Sequence, residues 1–133
     1  MAPAASRPPL WAVLGTVYER LQIPVTLSNP PRWEFGNPRF LARRIEGARL
    51  SNHFDCGRTL TGQRADEYAV TLSVVTRLTD APGDSTAVVT TVDGSAKARA
   101  TSGNALHCAS KGTLEMRVAQ LVVEALLESA NPR

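Results

Sequence analysis

With 133 residues, 43% of them hydrophobic and 20% charged, the chain has the size and composition of one globular domain with a core of its own. No apolar run approaches the ~20 residues a membrane helix needs; the longest near either end, Leu121 to Leu127, is interrupted by Glu124. The net charge is +3, with arginine far outnumbering lysine, which suits anionic partners without implying them.

Residues 1–9 are small and Pro-rich and read as a flexible leader before a single α+β domain over 10–130. The leader lacks the apolar centre of a signal peptide. Two readings follow: a cytosolic protein, or a mature domain whose export signal or lipid anchor lies upstream. Over 10–22, Leu14, Val17, Tyr18 and Leu21 recur at helical spacing, with Leu10 or Trp11 extending the stripe. Prolines precede this helix, and Pro24 ends it. Val25 to Ser28 reads as a short strand, Asn29-Pro30-Pro31 as a turn, and Arg32 to Phe35 as a returning strand with Trp33 and Phe35 on one side. Gly36-Asn37-Pro38 is expected to break it before Phe40 to Ile45 resume. Residues 46–66 show no clean period and read as a long loop, with one helical turn near Leu50 to Phe54.

The clearest pattern follows. Tyr68, Val70, Leu72, Val74 and Leu78 alternate with Ala69, Thr71, Ser73, Val75 and Arg77, the signature of a half-buried strand. Residues 80–84 supply a turn. From Thr86 to Ala100, Val88, Thr90, Val92, Ala96 and Ala98 share one face, while Val89, Thr91, Asp93, Ser95, Lys97 and Arg99 share the other. Residues 101–112 read as a polar loop. A final helix runs from about Thr113 to Glu128, burying Leu114, Val118, Leu121, Val122 and Ala125, with Thr113 as N-cap. The expected fold is a two-layer α+β sandwich: an antiparallel sheet of about four strands, with the N- and C-terminal helices on one face.

The hairpin over 68–100 brings Cys56 and Cys108 toward one end of the sheet, so a disulfide between them is expected from topology. In the chain-entropy model such a bond contributes about 4 kcal/mol, and it persists in an oxidising compartment. Three other chemistries compete for these positions. His53, Cys56, His107 and Cys108 contain the elements of a Cys2His2 zinc site, but the adjacent His107 and Cys108 lack the usual ligand spacing. His53 or His107 beside a cysteine nucleophile is an enzyme reading, with only Asp55 to orient the base and no oxyanion elbow in sight. Arg32, Arg39, Arg43, Arg44, Arg49, Arg58 and Arg64 form an anion patch in which Trp33, Phe35 and Phe40 offer stacking surfaces for nucleic acid; a solvated loop with the aromatics in the core is the plainer reading. No phosphate-cradling glycine loop, nucleophile elbow, HExxH or calcium loop is present.

The series Leu21-Gln22-Ile23-Pro24-Val25, Phe54-Asp55-Cys56-Gly57, the Tyr68/Val70/Leu72/Val74 strand, Thr90-x-Val92 and Cys108-x-Ser110-x-Gly112-x-Leu114-Glu115 resembles small bacterial envelope domains, often lipoproteins. It is also similar to the α+β module of BamC-type lipoproteins. The resemblance implies a non-catalytic domain that docks on another envelope protein, and it carries over no functional residue. The expected function is therefore a periplasmic or otherwise extracytoplasmic scaffold or interaction domain, neither an enzyme nor dependent on a cofactor, whose docking surface is the sheet face bearing Val89, Thr91 and Lys97. The alternatives are a small apolar ligand held between sheet and helices near Ala96, Ala98 and Ala100, or anion and nucleic-acid binding through residues 32–64.

Overall fold

The computed structural model describes residues 7–98 and 104–130. The opening helix α1 spans Arg7–Leu21 and so takes in the last three residues assigned to the leader. Pro8 and Pro9 fall in its first turn, where the amide hydrogens that proline lacks have no intrahelical acceptor. Leu10, Val13, Leu14, Val17, Tyr18 and Leu21 are buried along one side.

The strands are β1 (Leu27–Asn29), β2 (Glu34–Ala42), β3 (Arg44–Ile45), β4 (Ala48–Arg49), β5 (Phe54–Asp55), β6 (Ala69–Ala81), β7 (Ser85–Lys97) and β8 (Leu106–Ser110). A short helix α2 covers Arg64–Glu67, and α3 covers Thr113–Ala130. Among the described residues, six strands form one sheet in the order β1-β2-β6-β7-β8-β5, and every neighbouring pair is antiparallel. Strands β3 and β4 make a separate small hairpin.

The sheet is thus larger than the four strands expected. The two additions, β5 and β8, lie in segments read as the 46–66 and 101–112 loops. A two-residue strand is too short to show a period, and β8 buries only Cys108. The helical turn expected after Leu50 is present as a 3-10 turn over Leu50–Asn52. The break expected at Gly36-Asn37-Pro38 is instead a bulge inside a continuous β2, where the register with β6 shifts between Asn37 and Phe40. Pro38 falls within that irregularity, where an N–H is not needed for the ladder.

On β6, Val70, Leu72, Val74, Thr76 and Leu78 are buried, while the alternate positions are half-buried or exposed. On β7, Thr86, Val88, Gly94 and Ala96 are buried, and Val89, Thr91, Asp93 and Lys97 are exposed. Helix α1 packs against β6, α3 packs against β7, and the two helices pack against each other. Gly94 makes room for Phe54, which is fully buried: a Cβ at Gly94 would lie 3.3 Å from the Phe54 ring and 3.2 Å from Leu72. The ring that β5 sends into the core is thereby accommodated by a missing side chain on β7.

A buried polar chain crosses this core. The Tyr18 hydroxyl lies 2.8 Å from Thr76 Oγ1, which lies 3.0 Å from Thr90 Oγ1. Burial pushes the Tyr18 phenol up to about 12, with the Thr76 hydrogen bond acting in the opposite direction. A raised folded-state value leaves stability intact below the unfolded value of 10.0 and removes it as pH climbs toward 12. Ultraviolet titration should therefore show a tyrosine ionising near pH 12, in step with loss of structure, and the Tyr18→Phe variant should lose that absorbance step. A native-state step near 10 that Tyr18→Phe abolishes would contradict the burial.

Glu46 joins the two terminal helices. Its carboxylate accepts hydrogen bonds from Arg117 Nε and Nη2, both at 2.8 Å, and Arg20 approaches from α1. The Arg117 hydrogen bonds hold the Glu46 carboxyl below its ordinary value.

Candidate recognition surface

The segment 51–57 is tied to 108–113 covalently and by hydrogen bonds. Cys56 and Cys108 are joined in a disulfide that spans 52 positions of sequence. Phe54 pairs with Ser110 and Asp55 with Ala109. The Lys111 amide donates to the His53 carbonyl at 2.9 Å, Lys111 Nζ to the Ser51 carbonyl at 2.6 Å, and the Thr113 hydroxyl to the Asn52 carbonyl at 3.1 Å. The staple therefore fastens β5 to β8 at one edge of the sheet and fixes the entry into α3.

With both sulfurs in a bond, neither cysteine is a nucleophile or a thiolate ligand. His107 shares the Ser95 side of the sheet, whereas Cys108 is buried on the side of Gly94. His53 is held by Thr113, with Nδ1 2.8 Å from the hydroxyl oxygen, and burial lowers its pKa from the ordinary imidazole value. Asp55 accepts the Gly57 amide hydrogen at 2.9 Å in a local turn. The four zinc candidates His53, Cys56, His107 and Cys108 thus form no ligand set, and no cluster of metal-binding side chains occurs among the described residues.

The arginines do not gather on one element. Arg32 belongs to the 3-10 turn after β1, Arg39 to the β2 bulge, Arg43, Arg44 and Arg49 to the β3–β4 hairpin and its approach, and Arg58 to the loop before α2. Arg44 donates to the Gly47 carbonyl, and Arg64 lies over the Tyr68 ring. The aromatics proposed for stacking are packed: Trp33 and Phe35 each meet Trp11 edge-on, at 5.7 and 5.6 Å between centroids, and Phe40 packs against the core.

What the structure does bring together lies on the exposed side of β6 and β7. A cleft of about 700 Å³ runs across Thr71, Ser73, Asp93, Ser95 and Lys97, with Arg39 at one wall and His107 at the other. His107 Nε2 lies 3.3 Å from Asp93 Oδ1. Arg39 and Lys97 have no ion-pair partner among the described residues. Further along the same face, Val75, Val89 and Thr91 line a smaller, more apolar depression of about 340 Å³. The expected docking residues Val89, Thr91 and Lys97 are all exposed there. Of the core-facing alanines, Ala96 is fully buried and Ala98 half-buried; Ala100 lies outside the described residues.

Sequence reasoning missed the cleft because its walls come from β2 and β8. Period-two alternation assigns Asp93 and Ser95 to a face, but only the β7–β8 pairing sets His107 beside Ser95. A second exposed apolar feature, a groove on α3 along Met116, Ala119 and Val123, lies outside the stripe that α3 buries.

No protein-family model, curated protein or solved structure matches the chain. The class defined by the structure is an α+β fold with, among the described residues, an antiparallel six-stranded sheet, three α-helices and one disulfide. No helix among the described residues is long and apolar enough to cross a membrane.

Proposed function

We propose that the chain is a non-catalytic interaction domain of the cell envelope, functioning in an oxidising compartment and docking another envelope protein through the side of the sheet that faces away from α1 and α3. In this reading the two terminal helices share one face of the sheet in a two-layer arrangement, as in the BamC-type modules the sequence resembles, and a leader or upstream anchor tethers the domain. The observation that carries the reading is the Cys56–Cys108 bond, because disulfides of this kind persist where thiols are not kept reduced. Its location supports a structural role: it lies within a lattice of backbone and side-chain hydrogen bonds. The exposed positions of β6 and β7 supply a mixed surface, apolar around Val75 and Val89 and polar around Asp93 and His107.

A photo-crosslinking residue placed at Thr91 tests this in cells that export the protein. One discrete cross-linked product is expected from Thr91 and none from Glu19, an exposed position on α1. Equal products from both positions, or recovery of the native protein with both thiols free to alkylation, would remove the proposal.

A second reading is favoured by the 700 Å³ cleft itself. Two cations without ion-pair partners among the described residues, three hydroxyls and the Asp93–His107 pair suit a small hydroxylated anion better than an apolar ligand.

A further inference from the structure

Strand β7 pairs with β6 along its whole length, from Ser85↔Ala81 to Lys97↔Ala69. On its other side, β8 pairs only with Gly94, Ser95 and Ala96. From Ser85 to Asp93, no strand pairs with that second edge and no loop backbone bonds to it among the described residues. Unpaired N–H and C=O groups along such an edge are a template for another strand. Natural edges are commonly blunted by charge, proline or a bulge. Here the run Ser85-Thr86-Ala87-Val88-Val89-Thr90-Thr91-Val92 contains no charged residue and no proline, and its pairing with β6 is regular throughout.

From this edge we propose that β7 pairs antiparallel with β7 of a second copy of the chain, joining two sheets into one across a twofold axis. Centring the pairing on Val89 uses the entire open stretch, since Ser85 and Asp93 are its two limits. Val89 then opposes Val89, Val88 opposes Thr90, Ala87 opposes Thr91, Thr86 opposes Val92, and Ser85 opposes Asp93. Each pair keeps exposed-side residues with exposed-side residues and core-side with core-side. No two like charges face each other, and the Asp93 carboxylate meets a hydroxyl donor. Centring on Thr90 instead would carry the pairing into Gly94, where β8 already bonds, and would set Ala87 against Asp93. The open β7 edges of both copies are consumed in the twofold pair, so assembly through β7 stops at a dimer. The inference does not depend on the compartment or on what docks on the exposed face.

Sedimentation velocity of the full oxidised chain over a concentration series tests it. A monomer–dimer equilibrium is expected. Val89 is 48% exposed, so lysine or glutamate is accommodated there in the folded monomer. Val89→Lys and Val89→Glu should each lose the dimer, because each sets two like charges opposite one another across the axis. An equimolar mixture of the two variants should recover it. Monomer at every concentration, dimer retained by either variant (as an interface through the α3 groove would give), failure of the mixture to recover, or growth beyond the dimer would each overturn the proposal.

Discussion

Replacing both Cys56 and Cys108 with serine should lower the unfolding free energy by about 4 kcal/mol, the loop-closure value for a link across 52 positions. For a domain whose total stability falls between about 5 and 15 kcal/mol, this is a large share. The folded structure itself should persist at low temperature. The pairing of β5 with β8, the Lys111 bonds to Ser51 and His53, and the Thr113 bond to Asn52 hold the same two segments together without the sulfurs. The loss is then expressed through the freedom regained by the unfolded chain. Chemical denaturation of the oxidised protein, the reduced protein and the double-serine variant checks this. The reduced protein and the variant should share a midpoint well below that of the oxidised protein, with native-like spectra before the transition. A midpoint change equivalent to less than about 1 kcal/mol would show that the unfolded chain is already compact around this pair.

Gly36→Ala is expected to be comparably damaging for a different reason. Gly36 has φ +146°, a conformation that side chains with a Cβ avoid, and its backbone presses against β6. A methyl group there would clash with the Val74 carbonyl oxygen and lie 2.9 Å from the Tyr18 hydroxyl and 3.0 Å from Val75 Cα. Backbone strain of about 1–3 kcal/mol adds to an overpacking cost of similar size. The Tyr18–Thr76 hydrogen bond is also disturbed, because the added methyl group presses on the Tyr18 hydroxyl that makes it. Gly15→Ala is the internal contrast. Gly15 is an exposed position inside α1, and a methyl group on it would meet nothing within 4 Å, so alanine there should raise stability by about 0.5–1 kcal/mol. Thermal melts of the two variants should move in opposite directions. A Gly36→Ala protein as stable as the parent would mean that β2 and β6 are not in the register described.

The same two strands show how far pattern reading reaches. Tyr68 to Leu78 and Thr86 to Lys97 were legible because each side chain on a long strand has a counterpart two residues on, and the core imposes that repeat over many positions. The terminal helices were legible for the equivalent reason at period 3.6. Thr76 is instructive: it occupies a core-phase position without being apolar, and only its contacts with Tyr18 and Thr90 explain why it is tolerated. At the other extreme, Phe54 and Asp55 form a strand that no local signal marks. Their conformation depends on Ser110 and Ala109, more than fifty residues away, and on the space Gly94 leaves for the Phe54 ring.

The candidate surface divides in the same way. The disulfide was expected because only one intramolecular bridge is possible with two cysteines and the hairpin brings them to one end. The separation of His107 from Cys108 across the sheet was not, because it depends on residues 106–110 being a strand rather than a loop. Arg39 was counted with six other arginines, yet it alone among them lines the cleft, carried there by the bulge in β2.

Sequence by itself determined the α+β class, the long hairpin, the two terminal helices and the pairing of the cysteines, since periodic burial and covalent arithmetic are local or nearly local properties. Tertiary structure alone decided the number of strands, the membership of the cleft and the open edge of β7. Those depend on which distant segments lie side by side, and strand-to-strand hydrogen bonding is made by backbone groups that every residue but proline carries alike.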